Sequence, residues 1–266
     1  MSEGFQFKQF YVRHDRCAMK VGTDGVLLGA WAPVCLQQSP ITIHQSPIPN
    51  HQSPFRVLDI GTGSGLVALM LAQRCPEALI DAIDIDAEAV AQAQENFAHS
   101  PWADRLTAHH SSLQDWGETK VSVPSLVGRV RERLTYSLIV SNPPYFQNSL
   151  KNPDAGRQTA RHTDTLSYAE LFHCAAKLLT MHGLFAVILP AEAEEEACRL
   201  AAAEGLTLAR LTRVYSKESK PARRVLMAFQ PSTAANQPPQ ISQLVLEDNQ
   251  GGRSADYRQL AQDFYL

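Results

Sequence analysis

The sequence predicts an α/β fold with a mainly parallel, twisted sheet, helices on both faces and an antiparallel edge. Two observations carry this prediction. Short apolar strands alternate with helical segments at a spacing that implies right-handed crossovers, and one strand turns into a helix through a cluster of glycines. The 266 residues are 44% hydrophobic and 19% charged, so the chain has enough apolar side chains to bury a full core.

Three segments are expected along the chain: residues 1–34 packed against the core, a linker over 35–54, and one α/β domain over 55–266. Gln-Ser-Pro occurs three times within this linker, and each copy begins seven residues after the previous one. Because proline lacks an amide donor and pushes the preceding residue towards extended conformations, neither a helix nor a central strand runs through this stretch. We interpret it as a tolerated surface insertion, with a partner-binding role as the alternative.

Within the domain, short apolar runs are typical of buried strands and longer periodic runs of helices. The predicted strands are 56–60, 79–83, 106–109, 136–140 and 184–189, and the predicted helices are 66–72, 86–97 and 168–179. The last helix leads through Gly183 into its strand. Two later runs, 206–210 and 224–229, are expected to close one edge of the sheet as an antiparallel hairpin.

Composition excludes several classes of protein. The chain has 24 Lys+Arg against 27 Asp+Glu, a net charge of −3, which excludes a surface that is cationic all over. The N-terminus lacks the apolar core of an export signal, and the apolar run 183–190 is shorter than the roughly 20 residues of a membrane-spanning helix. Five scattered cysteines, with no C-x-x-C pair, indicate reduced thiols and no metal. We therefore expect a cytoplasmic protein without membrane or metal partners.

The glycine cluster predicts a ligand site at the carboxyl edge of the sheet. Asp59 lies next to the end of a strand and is followed by Gly61, Gly63 and Gly65, which let the backbone approach a ligand closely. The dinucleotide fingerprint G-x-G-x-x-G requires a third glycine where this chain has Leu66, which disfavours NAD. A purely structural turn is the alternative at this point.

Two further acidic residues are candidates for the same site. Asp84 ends the next strand, where a carboxylate can bind the ribose hydroxyls of a nucleoside cofactor; a solvated strand end is the alternative. Asp86 is expected to cap the following helix. Asp24 lies in an apolar stretch, so it either caps a helix or meets a ligand.

The segment Asn142-Pro143-Pro144-Tyr145 follows another strand and has the chemistry to hold an amino group. The lone pair of an exocyclic amine on adenine is delocalised into the ring, so the amine is a poor nucleophile until acceptors hold its N–H groups. The Asn142 side-chain oxygen and the Pro143 carbonyl are such acceptors. Tyr145 offers a face on which a base can stack, worth roughly 1–3 kcal/mol. A simple turn is the alternative.

Taken together, these motifs resemble the S-adenosylmethionine-dependent N6-adenine methyltransferases, in particular the bacterial family that modifies adenosine 37 of tRNA1(Val). The segments that carry the resemblance are 14–25, 57–65, 92–96, 101–102, 141–145, 223–229 and 264–266. The resemblance implies a Rossmann-like class I methyltransferase fold and the activity of that family. It also implies that S-adenosylmethionine is bound by Asp24, Asp59, the three glycines and Asp84.

Three departures from the family pattern stand out. Two are insertions, near residues 35–54 and 117–133. The third is at Ser112, in a position where this class often presents an Asp towards the amino group of the cofactor's adenine. We expect Ser112 to accept that hydrogen bond, with Asp115 as the alternative.

RNA binding requires cations despite the negative net charge. Basic residues cluster at the N-terminus, after the Asn-Pro-Pro-Tyr segment and late in the chain, and each cluster alone is typical of a solvated face. The candidates for RNA contact are Lys20, Arg157, Arg161, Arg223 and Arg224. We expect a monomer that binds tRNA.

Other classes of function remain as alternatives. Protein glutamine-N5 methyltransferases share Asn-Pro-Pro-Tyr but carry a larger N-terminal domain, whereas 56 residues precede Val57 here. DNA adenine methyltransferases generally carry an added target-recognition region, for which no segment is evident. A different class of function is a regulatory module that binds the cofactor without turnover. An assay for methyl transfer distinguishes such a module from an enzyme.

Overall fold

The computed structural model describes residues 3–17, 19–34, 55–118, 120–125, 128–144, 166–248 and 250–265. The strands are β1 Gly4–Gln6, β2 Tyr11–Arg13, β3 Arg56–Ile60, β4 Leu79–Asp84, β5 Leu106–His110, β6 Lys120–Ser125, β7 Gly128–Arg133, β8 Tyr136–Ser141, β9 Leu179–Pro190, β10 Leu206–Tyr215, β11 Ala222–Pro231 and β12 Gln240–Val245. The helices are α1 Thr23–Trp31, α2 Leu66–Arg74, α3 Ala87–Ala98, α4 Leu113–Gly117, α5 Tyr168–Leu178, α6 Glu194–Ala203 and α7 Ala255–Ala261.

Eight strands form one sheet in the order β5-β4-β3-β8-β9-β11-β10-β12. The first five are mutually parallel, β11 is antiparallel to both of its neighbours, and β12 runs parallel to β10. From β3 the chain steps towards one edge of the sheet, and from β8 it steps towards the other. The carboxyl ends of β3 and β8 therefore flank the topological switch point, where open α/β sheets bind ligands.

Both faces of the sheet are covered by helices, as predicted. Successive strand residues alternate between two cores. Val57 belongs to the core that includes residues of α1, α2, α3 and α7, whereas Leu58 belongs to the core that includes residues of α4, α5 and α6. The N-terminal residues Phe7 and Phe10 are buried in the first of these cores. The predicted mainly parallel sheet with an antiparallel edge is confirmed.

The strands at the antiparallel edge and β9 are longer than predicted. β10 and β11 continue past the expected ends, and β9 begins at Leu179 instead of residue 184. Gly183 lies inside β9, where a Cβ would come 2.8 Å from the Tyr136 carbonyl oxygen, so close approach of two strands, and not a turn, explains this glycine.

Several elements lack a strong sequence signal. β12 has four exposed residues at its start, so no apolar alternation marks it, and β1, β2 and α4 are only three to five residues long. The linker 35–54 and Cys35 lie outside the described residues. The four cysteines within them are free thiols.

Candidate active site

The glycine loop between β3 and α2 has three residues with positive φ: 68° at Gly61, 53° at Gly63 and 81° at Gly65. A Cβ on Gly61 or Gly63 would meet nothing within 4 Å, because both face open space. A Cβ on Gly65 would come 2.5 Å from the Phe97 ring. The first two glycines leave room for a ligand, and the third lets the loop pack on α3.

Asp59 lies beneath this loop and is only 1% exposed. The Thr62 hydroxyl donates to its Oδ2 over 2.7 Å. Burial, opposed by that hydrogen bond, raises the pKa of Asp59 to about 7. Asp59 borders the smaller of two cavities at the site, but its side chain is hydrogen-bonded to the loop itself.

Asp84 lies at the rim of the loop and is half-buried. Its Oδ2 accepts from the Gly63 amide over 2.9 Å, and its Oδ1 accepts from the Asp86 amide over 3.0 Å. Each carboxylate oxygen has a second lone pair, so Asp84 keeps acceptor capacity for a ligand. Asp86 caps α3 by accepting from the Glu88 amide over 2.9 Å, which confirms its predicted role.

A cavity of about 670 Å³ opens between the ends of β3, β4 and β8, a volume usual for small-molecule sites. Ile83, Ile85 and Leu113 give it apolar walls, and Ile85 is 57% exposed. Asp84 supplies a carboxylate in the same lining. An apolar ring attached to a sugar therefore fits the arrangement of these groups.

A second cavity of about 340 Å³ adjoins the first, since both are bordered by Met19, Gly61, Gly63 and Asn142. Its other lining includes Lys20 and the first turn of α1. The second cavity is thus part of the same cleft, and its lining includes a cation, Lys20, and a carboxylate, Asp24.

Asp24 contributes to this second cavity but does not cap α1. The helix begins at Thr23 with Gly22 as its N-cap, and no side chain caps it. The Arg224 Nε donates to Asp24 Oδ2 over 3.0 Å, in a pair whose members are 200 residues apart. The capping alternative for Asp24 is wrong because the helix begins before it, at Thr23, and its Oδ2 accepts from this arginine, while contact with a ligand remains a prediction.

Ser112 borders the larger cavity, but its hydroxyl is engaged in capping α4. It accepts from the Asp115 amide over 3.0 Å and donates to Asp115 Oδ2 over 2.7 Å. Ser111 and Gln114 also border this cavity, whereas Asp115 is absent from its described lining. Ser112 is thus better placed than Asp115 to reach a ligand.

Asn142 lies at the junction of the two cavities, directly after β8. The hydroxyl of Ser141 donates to the Ile60 carbonyl over 3.0 Å, which ties the end of β8 to the end of β3. Pro143 is buried, and Pro144 is exposed and borders the larger cavity. Tyr145 lies outside the described residues.

The predicted cationic clusters are partly neutralised. Arg13 and Arg16 both pair with Glu95 on α3, and Arg224 pairs with Asp24. Lys20 and Arg223 are exposed. The other two candidates for RNA contact, Arg157 and Arg161, lie outside the described residues.

Two buried amide side chains on α3, Gln92 and Asn96, hold the N-terminal segment, a role that the motifs do not indicate. Asn96 accepts from the Arg13 amide over 3.0 Å and donates to the Arg13 and Ser64 carbonyls, each over 2.8 Å. Gln92 accepts from the Arg16 amide over 3.1 Å. This clamp holds the segment with Cys17 and Met19 against the larger cavity. Gln92 and Asn96 are four residues apart and therefore share one face of α3, which is the only sign of the clamp in the sequence.

Within the described part of the chain, no helix is long and apolar enough to cross a membrane. The same residues contain no group of three or more His, Cys, Asp or Glu side chains that could hold a metal ion.

Comparison with known proteins gives a consistent result. The family described as methyltransferase small domain matches residues 46–200. A Parabacteroides distasonis protein named tRNA1(Val) (adenine(37)-N6)-methyltransferase is 44% identical, covering 98% of this chain and 97% of its own. A Citrobacter koseri protein of the same name is 43% identical, covering 99% and 95%. A solved structure, described as a predicted O-methyltransferase of Agrobacterium tumefaciens, aligns with a TM-score of 0.57 at 13% identity, covering 90% and 96%, and shares the fold.

Proposed function

The chain belongs to the methyltransferase small domain family, and within it to the tRNA1(Val) (adenine(37)-N6)-methyltransferases; from that membership we propose that it methylates N6 of adenosine 37 in tRNA1(Val). The methyl donor is S-adenosylmethionine. A tRNA substrate implies a cytoplasmic enzyme, and we propose that it acts as a monomer.

The residues of the cleft fit this donor. Gly61 and Gly63 leave open space in which a Cβ would stand, and Asp84 keeps acceptor capacity for two ribose hydroxyls. Ile85 and Leu113 supply apolar walls for the adenine ring, with Ser112 at its edge. The adjoining cavity, with Asp24 and Lys20, takes the amino-acid end. When bound, S-adenosylmethionine supplies a methyl group activated by a positively charged sulfur.

Asp59 and Gly65 contribute to donor binding indirectly, by holding the glycine loop in place. Asp59 holds Thr62 and Gly65 packs on Phe97, so both keep the loop in the shape that admits the donor. We therefore propose them as positioning residues of the cofactor site.

The observation that carries the proposal is the place of Asn142, which borders both cavities at the switch point of the sheet. Its side-chain oxygen can accept one N–H of the adenine amine and the Pro143 carbonyl the other. These acceptors orient the amine towards the cleft and stabilise the positive charge that develops on its nitrogen. Tyr145 follows two residues after Pro143 in the chain and supplies the stacking face.

Methyl transfer to tRNA tests the proposal directly. The full chain is incubated with methyl-labelled S-adenosylmethionine and unmodified tRNA1(Val), and the RNA is digested to nucleosides. We expect label in N6-methyladenosine, and none when adenosine 37 is replaced by guanosine. Label at another nucleotide, on a protein glutamine, or nowhere would overturn it.

A further inference from the structure

β6 and β7 form a two-stranded antiparallel ribbon that the methyltransferase site leaves without a role. The ribbon is a sheet of its own, paired from Lys120 opposite Arg133 to Ser125 opposite Gly128. Among the described elements, the only extensive contacts of either strand are with the other. It is therefore not an edge of the main sheet.

The register places the basic residues of the ribbon on one face. Residues directly opposite each other in an antiparallel pair share a face, and alternate residues along a strand share it too. One face consequently carries Lys120, Ser122, Pro124, Arg129, Arg131 and Arg133. The other carries Val121, Val123, Ser125, Gly128, Val130 and Glu132.

The ribbon is basic although the chain as a whole is not. Residues 120–133 include four basic residues and one acidic residue in a protein with a net charge of −3. All four basic residues fall on one face, and the acidic residue falls on the other. Elsewhere, Arg13, Arg16 and Arg224 are paired with carboxylates.

The ribbon is attached to two elements of the active site. It follows α4, which begins at the wall of the larger cavity, and it leads into β8, which ends at Asn142. At the base of the ribbon the two flanking elements are joined, because Trp116 Nε1 of α4 donates to the buried Tyr136 hydroxyl of β8 over 3.0 Å. The six residues of β8 separate this base from Asn142 by roughly 20 Å at about 3.3 Å per residue. A folded RNA arm easily spans that distance.

We propose that the basic face of the β6–β7 ribbon binds the phosphate backbone of the tRNA, away from the target adenosine. This inference rests on the proposed function and identifies a part of the tRNA-binding surface. Alternate strand residues are roughly 6.8 Å apart, so three arginines in a row can each meet a different phosphate. Arginine presents paired N–H donors to phosphate oxygens, which suits contacts that position RNA without reading its sequence.

The test replaces Arg129, Arg131 and Arg133 together by glutamine in the full chain. A charge-matched control carries Lys177→Gln, Arg199→Gln and Arg258→Gln, at exposed positions on α5, α6 and α7. Affinity for unmodified tRNA1(Val) is measured over a series of salt concentrations, beside S-adenosylmethionine affinity and kcat at saturating tRNA. A second variant, with lysine at the three ribbon positions, keeps the charge.

We expect the glutamine variant to bind tRNA roughly tenfold to a hundredfold more weakly at low salt, with a salt slope lower by roughly 1 for each phosphate that the ribbon no longer neutralises. Its S-adenosylmethionine affinity and kcat should match the control, and the lysine variant should recover most of the tRNA affinity. An active glutamine variant whose tRNA affinity and salt slope equal those of the control would overturn this inference alone. Loss of S-adenosylmethionine binding in both ribbon variants would assign the ribbon to folding and overturn it too. Failure of the unaltered chain to methylate tRNA would instead overturn the proposed function.

Discussion

Asp59 and Asp84 lie at or next to the carboxyl ends of neighbouring strands, yet the fold gives the two carboxyl groups different environments. Asp59 is almost fully buried under the glycine loop, whereas Asp84 lies at its rim with both oxygens on backbone amides. The sequence predicts both as cofactor contacts, Asp84 because it ends a strand and Asp59 because the resemblance to the methyltransferase family implies it. Which carboxylate faces the cleft depends on how the loop wraps over it, and no local pattern encodes that.

Asp59→Asn should change how stability depends on pH. Burial raises the pKa of Asp59 from 3.8 to about 7, so the folded chain holds a proton that the unfolded chain releases. The stabilisation from this proton is complete below pH 3.8 and is lost as pH rises through about 7. Denaturant titrations should show that the unfolding free energy of the variant rises relative to that of the natural chain as pH increases across this window, by at most about 4 kcal/mol. A difference in unfolding free energy that stays constant from about pH 4 to about pH 8 would contradict this assignment.

Gly63→Ala and Gly65→Ala should fail in different ways, although both place a Cβ at positive φ. The new methyl at position 65 collides with Phe97, so we expect a loss of about 2–4 kcal/mol in unfolding free energy. At position 63 it enters open space in the cleft, so we expect about 1 kcal/mol of strain and a larger loss of S-adenosylmethionine affinity. Thermal unfolding measures the loss of stability in the two variants, and calorimetry measures their S-adenosylmethionine affinity. Equal stability losses together with equal affinities would contradict the different roles assigned to the two glycines.

α3 illustrates what local sequence can and cannot predict about an element. Its predicted bounds agree with the structure within a residue at each end, because Asp86 caps it and its apolar positions are regular. The function of its inner face is not predictable in this way, because Asn96 meets Arg13, 83 residues away in the chain. Short elements are harder still to predict from the sequence. β6, β7 and β12 have no long apolar stripe, and each becomes a strand because it pairs with another strand.

Asn96→Ala should loosen the N-terminal segment. The change removes one accepted and two donated hydrogen bonds and leaves buried backbone groups unpaired, at a cost of about 2–4 kcal/mol. Because the clamp holds Cys17 and Met19 against the cavity, S-adenosylmethionine affinity should fall as well. Hydrogen exchange of residues 11–17 should accelerate.

The matched control is Gln94→Ala on the same helix, which removes a single exposed hydrogen bond to the Ala108 amide. It should lower stability by less than about 1 kcal/mol and leave cofactor affinity unchanged. If both variants behave alike, the clamp has no special part in the cofactor site.

The whole chain builds one cleft from distant parts. The N-terminal segment, the loop after β3 and the end of β8 all border it, and β11 reaches it through the Arg224–Asp24 pair. Sequence pattern suffices for the sheet and the switch point, since alternating strands and helices allow few topologies. It does not suffice for that ion pair, because Asp24 and Arg224 are 200 residues apart and neither position shows a partner locally.

Removing the proline-rich linker should leave the enzyme working. The prolines of residues 37–53 predict neither a helix nor a central strand there, so replacement of this stretch by a short glycine-serine bridge should change methyl transfer by less than about threefold. Activity is compared at equal S-adenosylmethionine occupancy. A deletion variant that remains folded, yet loses tRNA methylation, would show that the repeats contact the substrate.

The central claim is that Asn142 holds the amine of the target base, and Asn142→Ala tests it most directly. Single-turnover methylation of tRNA1(Val) by the variant is measured beside calorimetry with S-adenosylmethionine. Losing one hydrogen-bond partner of the transition state costs about 3–4 kcal/mol, so the rate should fall roughly a hundredfold to a thousandfold while cofactor affinity changes little. A near-natural rate, or a loss of cofactor affinity in proportion to the loss of rate, would contradict the account.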